Sequence, residues 1–220
     1  KGGYDGRGVT IIKTVEDMDS VFEEASIIEE LIPFRKELSV IVARNKSGET
    51  AVYPTVECEF NSVNLVEYLF SPADIDSIIE RKAAETAIDV INKLDMVGIL
   101  AVELFLTEQD GILVNEIAPR PHNSGHHTIE CNVTSQFEQH LRSVLNLPLG
   151  STELTRYGVM INLLGKEGYS GTAKYEGLND VLEKNDVHLH LYGKKVTKPF
   201  RKMGHITIAS TTMDKAKKIA

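Results

Sequence analysis

The chain has 220 residues, 42% hydrophobic and 25% charged, ordinary for a globular protein and enough for one large domain or a domain with a lobe. A formal net charge of −8, with basic residues concentrated only in KKVTKPFRK, argues against a nucleic-acid partner. No apolar run approaches the ~18 residues a membrane span needs, and Cys58 and Cys131, isolated and without metal-ligand spacing, read as reduced packing residues of a cytosolic protein.

In chain order, the first feature is GGYDGRG, where Gly2, Gly3, Gly6 and Gly8 allow a backbone that wraps closely around a phosphate. It is neither a P-loop nor the G-x-G-x-x-G dinucleotide fingerprint. VTIIK at Val9–Lys13 comes next as a strand, so the glycines form a hairpin tip folded over phosphates. A glycine linker is the competing reading, and Tyr4, Asp5 and Arg7 between the glycines count against it. Val15–Glu24 is expected as a helix and Ser26–Glu30 as a strand. Glu37–Arg44 and Ala51–Val56 form a strand pair turned at Asn45–Gly48. Asn61–Leu65 is a polar connection and Val66–Phe70 a short strand.

Asp74–Leu94 is a helix, with Ile75, Ile78, Ile79, Ala83, Thr86, Ala87, Val90 and Leu94 along its apolar face. After a hairpin over residues 102–118, a helix over Ser135–Leu145 ends at Asn146 and Pro148. Strands come at Tyr157–Leu164, His188–Tyr192 and His205–Ala209, with a short helix at Leu178–Glu183 and a helical pattern in MDKAKKIA. These elements predict an α+β fold, a mostly antiparallel sheet with helices on one side.

The hairpin carries the chemistry. VELFLT and ILVNEIA are apolar and β-branched runs about a turn at Gln109–Asp110, a register that sets Glu103 opposite Glu116. Their face is otherwise apolar, with Ala101, Phe105, Ile112, Val114 and Ala118. Two ionised carboxylates ~5 Å apart repel by about 3 kcal/mol at an effective dielectric near 20. A shared proton would relieve this, and a divalent cation does so better: Mg²⁺ takes one or two carboxylates and completes its octahedron with water and substrate phosphates. The competing reading slips the hairpin by one residue and leaves both acids solvated.

The residues after Glu116 favour the metal reading. Pro119 and Pro121 stiffen the loop and hold Arg120 and His122 out on it, and Arg120 offers a planar fork to an oxyanion. Asn123, Ser124 and Gly125 turn the chain so that His126 and His127 start the next segment. Near the end, Lys195, Lys198, Arg201, Lys202 and His205 form a basic cluster, read either as a solvated loop or as a phosphate site. His188 and His190 alternate on a strand as packed or hydrogen-bonded residues.

GGYDGRG, SIIEELIPFRKELSV, NEIAPRPHNSGHHTIEC with TSQFEQHLRSVLNLPL, then VHLHLYGKK and RKMGH resemble the N5-carboxyaminoimidazole ribonucleotide synthetase family of the ATP-grasp superfamily. The resemblance runs the whole length. NEIAPRPHNSGH is its specific part, whereas paired acids and a glycine flap are general to the superfamily. It implies an ATP-grasp fold in which residues 1–30 belong to the small ATP-covering lobe. Residues 31–220 are then the main catalytic domain and the start of the C-terminal region, and an N-terminal βαβ domain and a C-terminal tail are absent.

It also implies ATP and Mg²⁺ as cofactors. The substrates would be ATP, bicarbonate and aminoimidazole ribonucleotide, and the full-length protein a cytoplasmic homodimer. Ile27–Ile32 would be the adenine hinge, read by Glu30 and Leu31 and flanked by Ile32, with Glu29 and Glu37 as motif acids and Glu37 on the ribose hydroxyls. Gly2, Gly3, Gly6 and Gly8 would cover the phosphates. Glu103 and Glu116 would hold Mg²⁺ with help from Asn115, and Arg120 would hold bicarbonate and then carboxyphosphate. Tyr4, Asp5, Arg7 and His122 would face the aminoimidazole, with His122 or the released phosphate as proton acceptor. Asn123, Lys195, Arg201 and Lys202 would bind the ribonucleotide. One departure stands out: Cys58 and Phe60 in VECEF replace the Asn and His of many members. Another ATP-grasp ligase and a non-catalytic ATP-binding fragment are the alternatives, and HNSGH distinguishes the former.

Overall fold

Two long apolar strands form the centre of the molecule. A computed structural model of the chain describes residues 9–60 and 65–220. In it, β1 (Phe34–Arg44) lies antiparallel to β5 (Gly98–Thr107), with Val40 opposite Val102 and Ser39 opposite Glu103. Around them, β2 (Thr50–Val52), β3 (Val56–Phe60), β4 (Val66–Ser71), β6 (Ile112–Ala118), β7 (Tyr157–Leu164), β9 (Val187–Leu191) and β11 (Lys202–Ser210) complete one sheet. Its order is β6-β5-β1-β3-β4-β7-β11-β9, with β2 also on β1, and every described pairing is antiparallel. The short β8 (Gly171–Thr172) and β10 (Val196–Thr197) pair separately.

Strand periodicity sends alternate residues to opposite faces. Leu38, Val40 and Val42 of β1, with Leu100, Val102, Leu104 and Leu106 of β5, pack against α1 (Ser77–Lys93). The helix answers with Ile79, Ala83, Ala87 and Ile91, a row spaced by four whose two alanines let its axis approach the sheet. Asp76 caps it by accepting from the N–H groups of Ile78 and Ile79 at 2.8 and 2.9 Å. Ile78 and Leu94, expected on the buried stripe, are instead about half exposed, at 54% and 52%. The row through Ile91 spans the core contact, and they fall beside it.

The opposite face carries Ile41, Ala43, Ile99, Ala101 and Tyr53, joined by Leu149. The Tyr53 hydroxyl donates to the Thr134 carbonyl at 2.9 Å, and a His140 ring nitrogen of α3 (Gln136–Val144) accepts from Ile99 N–H at 3.3 Å. Helices therefore flank both faces of the central strands, which corrects the expectation of one side. Further along, α2 (Thr128–Cys131) precedes α3, α4 (Leu178–Leu182) contacts β9, and α5 (Met213–Ile219) packs on β7 and β11.

The N-terminal expectations need correction. Val9–Lys13 and Ser26–Glu30 carry no strand, and the expected helix at Val15–Glu24 shrinks to one 3₁₀ segment, Val15–Ser20. A strand needs a partner for its backbone groups, and no described strand lies beside these residues. Asp17 closes the 3₁₀ turn by accepting from Thr14 N–H at 2.9 Å. Ile27 and Ile28, expected on a slot-forming strand, are 89% and 97% exposed. Strand β3 and the β8–β10 ladder were not expected. The helix over residues 136–144, the strand over 157–164, and the C-terminal helix lie where their patterns put them, within a residue or two. No helix among the described residues is long and apolar enough to cross a membrane.

Candidate active site

The face opposite α1 holds the acids. Glu103 stands directly opposite Glu116 across the β5–β6 ladder, the pairing expected from the sequence. Beyond that pair the register shifts: Leu104 faces Val114 and Leu106 faces Ile112. Asn115 is the extra residue of a β-bulge, a device that re-aims side chains beside functional sites. The bulge corrects the expected face, because Ile112 and Val114 now pair with residues of the α1 side. Indeed Ile112 packs against that core. The acids stay opposed while the turn end of the hairpin flips.

Glu37 on β1 shares this face, opposite Phe105 and Cys58. Burial pushes its carboxyl up from the ordinary range to about 7. Glu103, whose side chain is 19% exposed, is also pushed up to about 7, first by burial and then by the charge of and a hydrogen bond to Glu116, while Lys202 pulls the other way. Two carboxylates opposed on one sheet face repel each other unless a proton or a cation offsets the charge. Two carboxylates held on rigid strands fit Mg²⁺, which would offset that repulsion. Among the described residues no three His, Cys, Asp or Glu side chains converge on one point, so such an ion would complete its shell with neutral oxygens, water and phosphate.

The loop after β6 crosses this face. Asn123 and Asn162 of β7 exchange amide hydrogen bonds at 2.8 and 3.0 Å, which ties the loop to a distant strand of the same sheet. His122 comes to rest over the acids, its Nε2 3.5 Å from Glu103 Oε1. Its backbone is clamped by the fully buried Gln136, which accepts from His122 N–H at 2.9 Å and donates to its carbonyl at 2.8 Å. Gln136 N–H in turn donates to Thr128 Oγ1 at 2.8 Å, and that hydroxyl donates to the Gly125 carbonyl at 2.6 Å. On the ring side, Ser124 Oγ meets His122 Nδ1 at 2.9 Å and Ser39 Oγ at 2.7 Å.

Arg120 is exposed and donates locally, to the Pro121 carbonyl at 3.1 Å. Burial holds the His126 ring down to about 4, and the charges of His190, Lys202 and Arg120 press the same way. The Lys202 charge is thus felt at both Glu103 and His126, whereas Arg201 donates to the Val196 carbonyl at 2.7 Å. Lys195 is exposed. His126 stacks on His205 at 4.7 Å, and His205 on His190 at 4.4 Å. His190 Nε2 lies 2.6 Å from Glu130 Oε1, in keeping with a hydrogen-bonded rather than catalytic residue.

The structure therefore brings Glu37, Glu103, Glu116, His122 and Lys202 together, with Arg120 and Asn123 on the same loop. Tyr4, Asp5, Arg7 and the glycines Gly2, Gly3, Gly6 and Gly8 lie outside the described residues. Glu29, Glu30 and Leu31 are exposed and Ile32 is half-buried on the segment before β1. Ser39, Gln136 and Asn162 carry no sequence signal: Ser39 and Asn162 are lone polar residues in apolar strands, Gln136 is one of several polar residues of its helix, and only the fold shows what each faces. Cys58 and Cys131 are free and buried, as expected.

Residues 1–137 match the ATP-grasp domain, and residues 158–219 match the phosphoribosylaminoimidazole carboxylase C-terminal domain. The N5-carboxyaminoimidazole ribonucleotide synthase of Bacillus subtilis is 44% identical over 97% of this chain and 56% of its own length. The crystal structure of the synthetase from Thermotoga maritima superposes with a TM-score of 0.89 at 49% identity, covering 96% of this chain and 57% of that one. The synthase of Aspergillus clavatus in complex with ADP and 5-aminoimidazole ribonucleotide gives 0.79 at 37% identity, over 86% and 50%. The chain spans about half the length of these relatives, and it belongs to the ATP-grasp family of N5-carboxyaminoimidazole ribonucleotide synthetases.

Proposed function

We propose that this chain carries the ATP-grasp portion of an enzyme that carboxylates 5-aminoimidazole ribonucleotide with bicarbonate and ATP. The products are N5-carboxyaminoimidazole ribonucleotide, ADP and phosphate, a step of purine biosynthesis. The observation that carries this reading is the Glu103–Glu116 pair with His122 above it, 3.5 Å from Glu103. Residues 1–30 are the lobe that covers ATP and residues 31–220 the catalytic domain. The whole protein acts in the cytoplasm as a homodimer, a reading supported by the exposed Phe137, Leu141 and Leu145 on and just after α3.

A bicarbonate oxygen attacks the γ-phosphorus of ATP, ADP leaves, and carboxyphosphate forms. The exocyclic amine then attacks the carboxyl carbon, phosphate departs, and the amine loses a proton. Phosphoryl transfer asks the protein for alignment and charge neutralisation rather than covalent help. Glu103 and Glu116, with Asn115, hold Mg²⁺, which when bound neutralises phosphate charge. Arg120 and Lys202 supply positive charge at the oxyanion. Glu37 accepts from the ribose, Glu29 to Ile32 line the adenine, and the glycine loop with Tyr4, Asp5 and Arg7 closes over the labile intermediate. Asn123, Lys195 and Arg201 bind the ribonucleotide.

The test is an assay of the full-length protein with ATP, bicarbonate and aminoimidazole ribonucleotide. ADP release should require the last two substrates and yield a carboxylated, acid-labile ribonucleotide. ADP release that depends on a different acceptor would assign another ATP-grasp ligase. ATP binding without turnover would overturn the catalytic reading.

A further inference from the structure

His122 is held at both ends of its ring. At one end Nε2 faces Glu103 Oε1 at 3.5 Å. At the other, Nδ1 lies 2.9 Å from Ser124 Oγ and 3.4 Å from the backbone nitrogen of Ser124. A backbone N–H only donates, so the Nδ1 it meets must present its lone pair. The proton of the neutral ring then sits on Nε2. Ser124 Oγ can donate to the same lone pair provided its own oxygen is satisfied from behind, and there it meets Ser39 Oγ at 2.7 Å. Ser39 is 1% exposed and Ser124 is 3% exposed, so water does not compete for either hydroxyl. Ser39 belongs to β1, directly opposite Glu103 of β5, which makes its position as rigid as the central ladder.

We infer that Ser39 is a positioning residue: through the Ser124 hydroxyl it reinforces the tautomer of His122 protonated on Nε2 and keeps that N–H turned toward the acid pair, where the reacting groups meet. This inference rests on the reaction proposed for the chain and narrows it. A ring nitrogen that already carries a proton cannot take another from the attacking amine while the ring stays neutral. The amine proton therefore leaves with the departing phosphate: the N–C bond forms, the C–O bond to phosphorus breaks, and the phosphate oxygen that receives the electron pair binds the proton. A supporting hydroxyl that fixes the tautomer of an imidazole is a familiar arrangement around histidines that must present one particular nitrogen.

The experiment compares Ser39→Ala and Ser39→Thr in the full-length protein, each alone and combined with His122→Asn. Loss of one neutral hydrogen bond predicts a fall in kcat for carboxylation of about five-fold in Ser39→Ala, with the KM for ATP unchanged. Ser39→Thr, which keeps the hydroxyl, recovers most of it. Added to His122→Asn, Ser39→Ala has no further effect, because the residue acts only through the imidazole. Imidazole ¹⁵N shifts of the protein labelled at histidine should show His122 protonated on Nε2, and a measurably larger share of the Nδ1-protonated form in Ser39→Ala. A ring protonated on Nδ1 in the wild type overturns the inference. So does an equal loss in the His122→Asn background, or a parallel rise in the KM for ATP, since either makes Ser39 a general packing residue. Wild-type protein that forms no N5-carboxyaminoimidazole ribonucleotide would instead sink the reaction assignment.

Discussion

At the scale of single residues, the site depends on keeping three acids on one face of a sheet. Glu103→Gln and Glu116→Gln keep the shape but remove the charge a cation needs, so each should cut ATP turnover of the full-length protein by ~10³-fold without unfolding it. Near-normal turnover in either variant would dismiss the metal assignment. Arg120→Lys keeps the charge and loses the fork, so bicarbonate-dependent ADP release should fall by ~10²-fold while nucleotide affinity barely changes. Equal losses in both would make Arg120 a nucleotide contact.

Glu37 adds a pH signature. Its folded carboxyl titrates near 7, above the ordinary 4.5 of the unfolded chain. The protonated form is thus favoured by folding, so its contribution is full below 4.5 and is lost as pH rises through 7. His126, His127 and His205 are held below their ordinary value by burial and act oppositely, losing stability as pH falls beneath 6.5. Denaturant titrations of wild type and Glu37→Gln separate the two, because the histidines cancel in the difference. The variant should gain ~1 kcal/mol relative to wild type between about pH 5 and about pH 8, allowing for solvent screening of a half-buried group. A flat difference would mean Glu37 is charged at all these values.

At the scale of elements, the loop from Pro119 to Thr128 is a rigid arm rather than a surface turn. Its shape depends on the first turn of α3, because Gln136 grips the backbone of His122 from there. Gly125 permits that grip: a Cβ at this position would sit 2.4 Å from Gln136 Oε1. Gly125→Ala should therefore lower stability by ~1–3 kcal/mol and reduce carboxylation beyond what the loss of stability explains, since His122 moves with the clamp. Thermal melts with steady-state rates test this, and an unchanged kcat would separate the clamp from catalysis. The bulge at Asn115 is a second such device: it lets one hairpin present two acids to the site and aliphatic residues to α1.

At the scale of the whole molecule, the main sheet is continuous from the acid hairpin to the C-terminal strands, and the arm from β6 reaches across to β7 and β11. Among the described residues, the apolar cores on both faces of β1 and β5 include none that precede β1. The isolated 220-residue chain should accordingly fold cooperatively around this sheet. It should bind ATP weakly and form little N5-carboxyaminoimidazole ribonucleotide, because catalysis needs both substrates held in attack geometry and the relatives are nearly twice as long. Calorimetric titration with ATP and a product assay decide it. Robust turnover would show that this chain alone completes the pocket.

Local pattern was sufficient to determine much of this. The helix at 136–144 and the strand at 157–164 result from periodicity, whose causes lie within a few residues, whereas the opposition of Glu103 to Glu116, expected from the turn, is set in the fold by the bulge at Asn115. The acid pair was legible because two carboxylates on an apolar strand face conflict with their own surroundings. Only the tertiary structure decided the rest. The bulge at Asn115 depends on which core Ile112 meets, and the segment before β1 lacks a strand because no described neighbour pairs with it. Ser39 and Gln136 matter through hydrogen bonds to partners 85 and 14 residues away. A hydroxyl or amide carries no periodic signal, and its role is set by whatever the folded chain brings within about 3 Å of it.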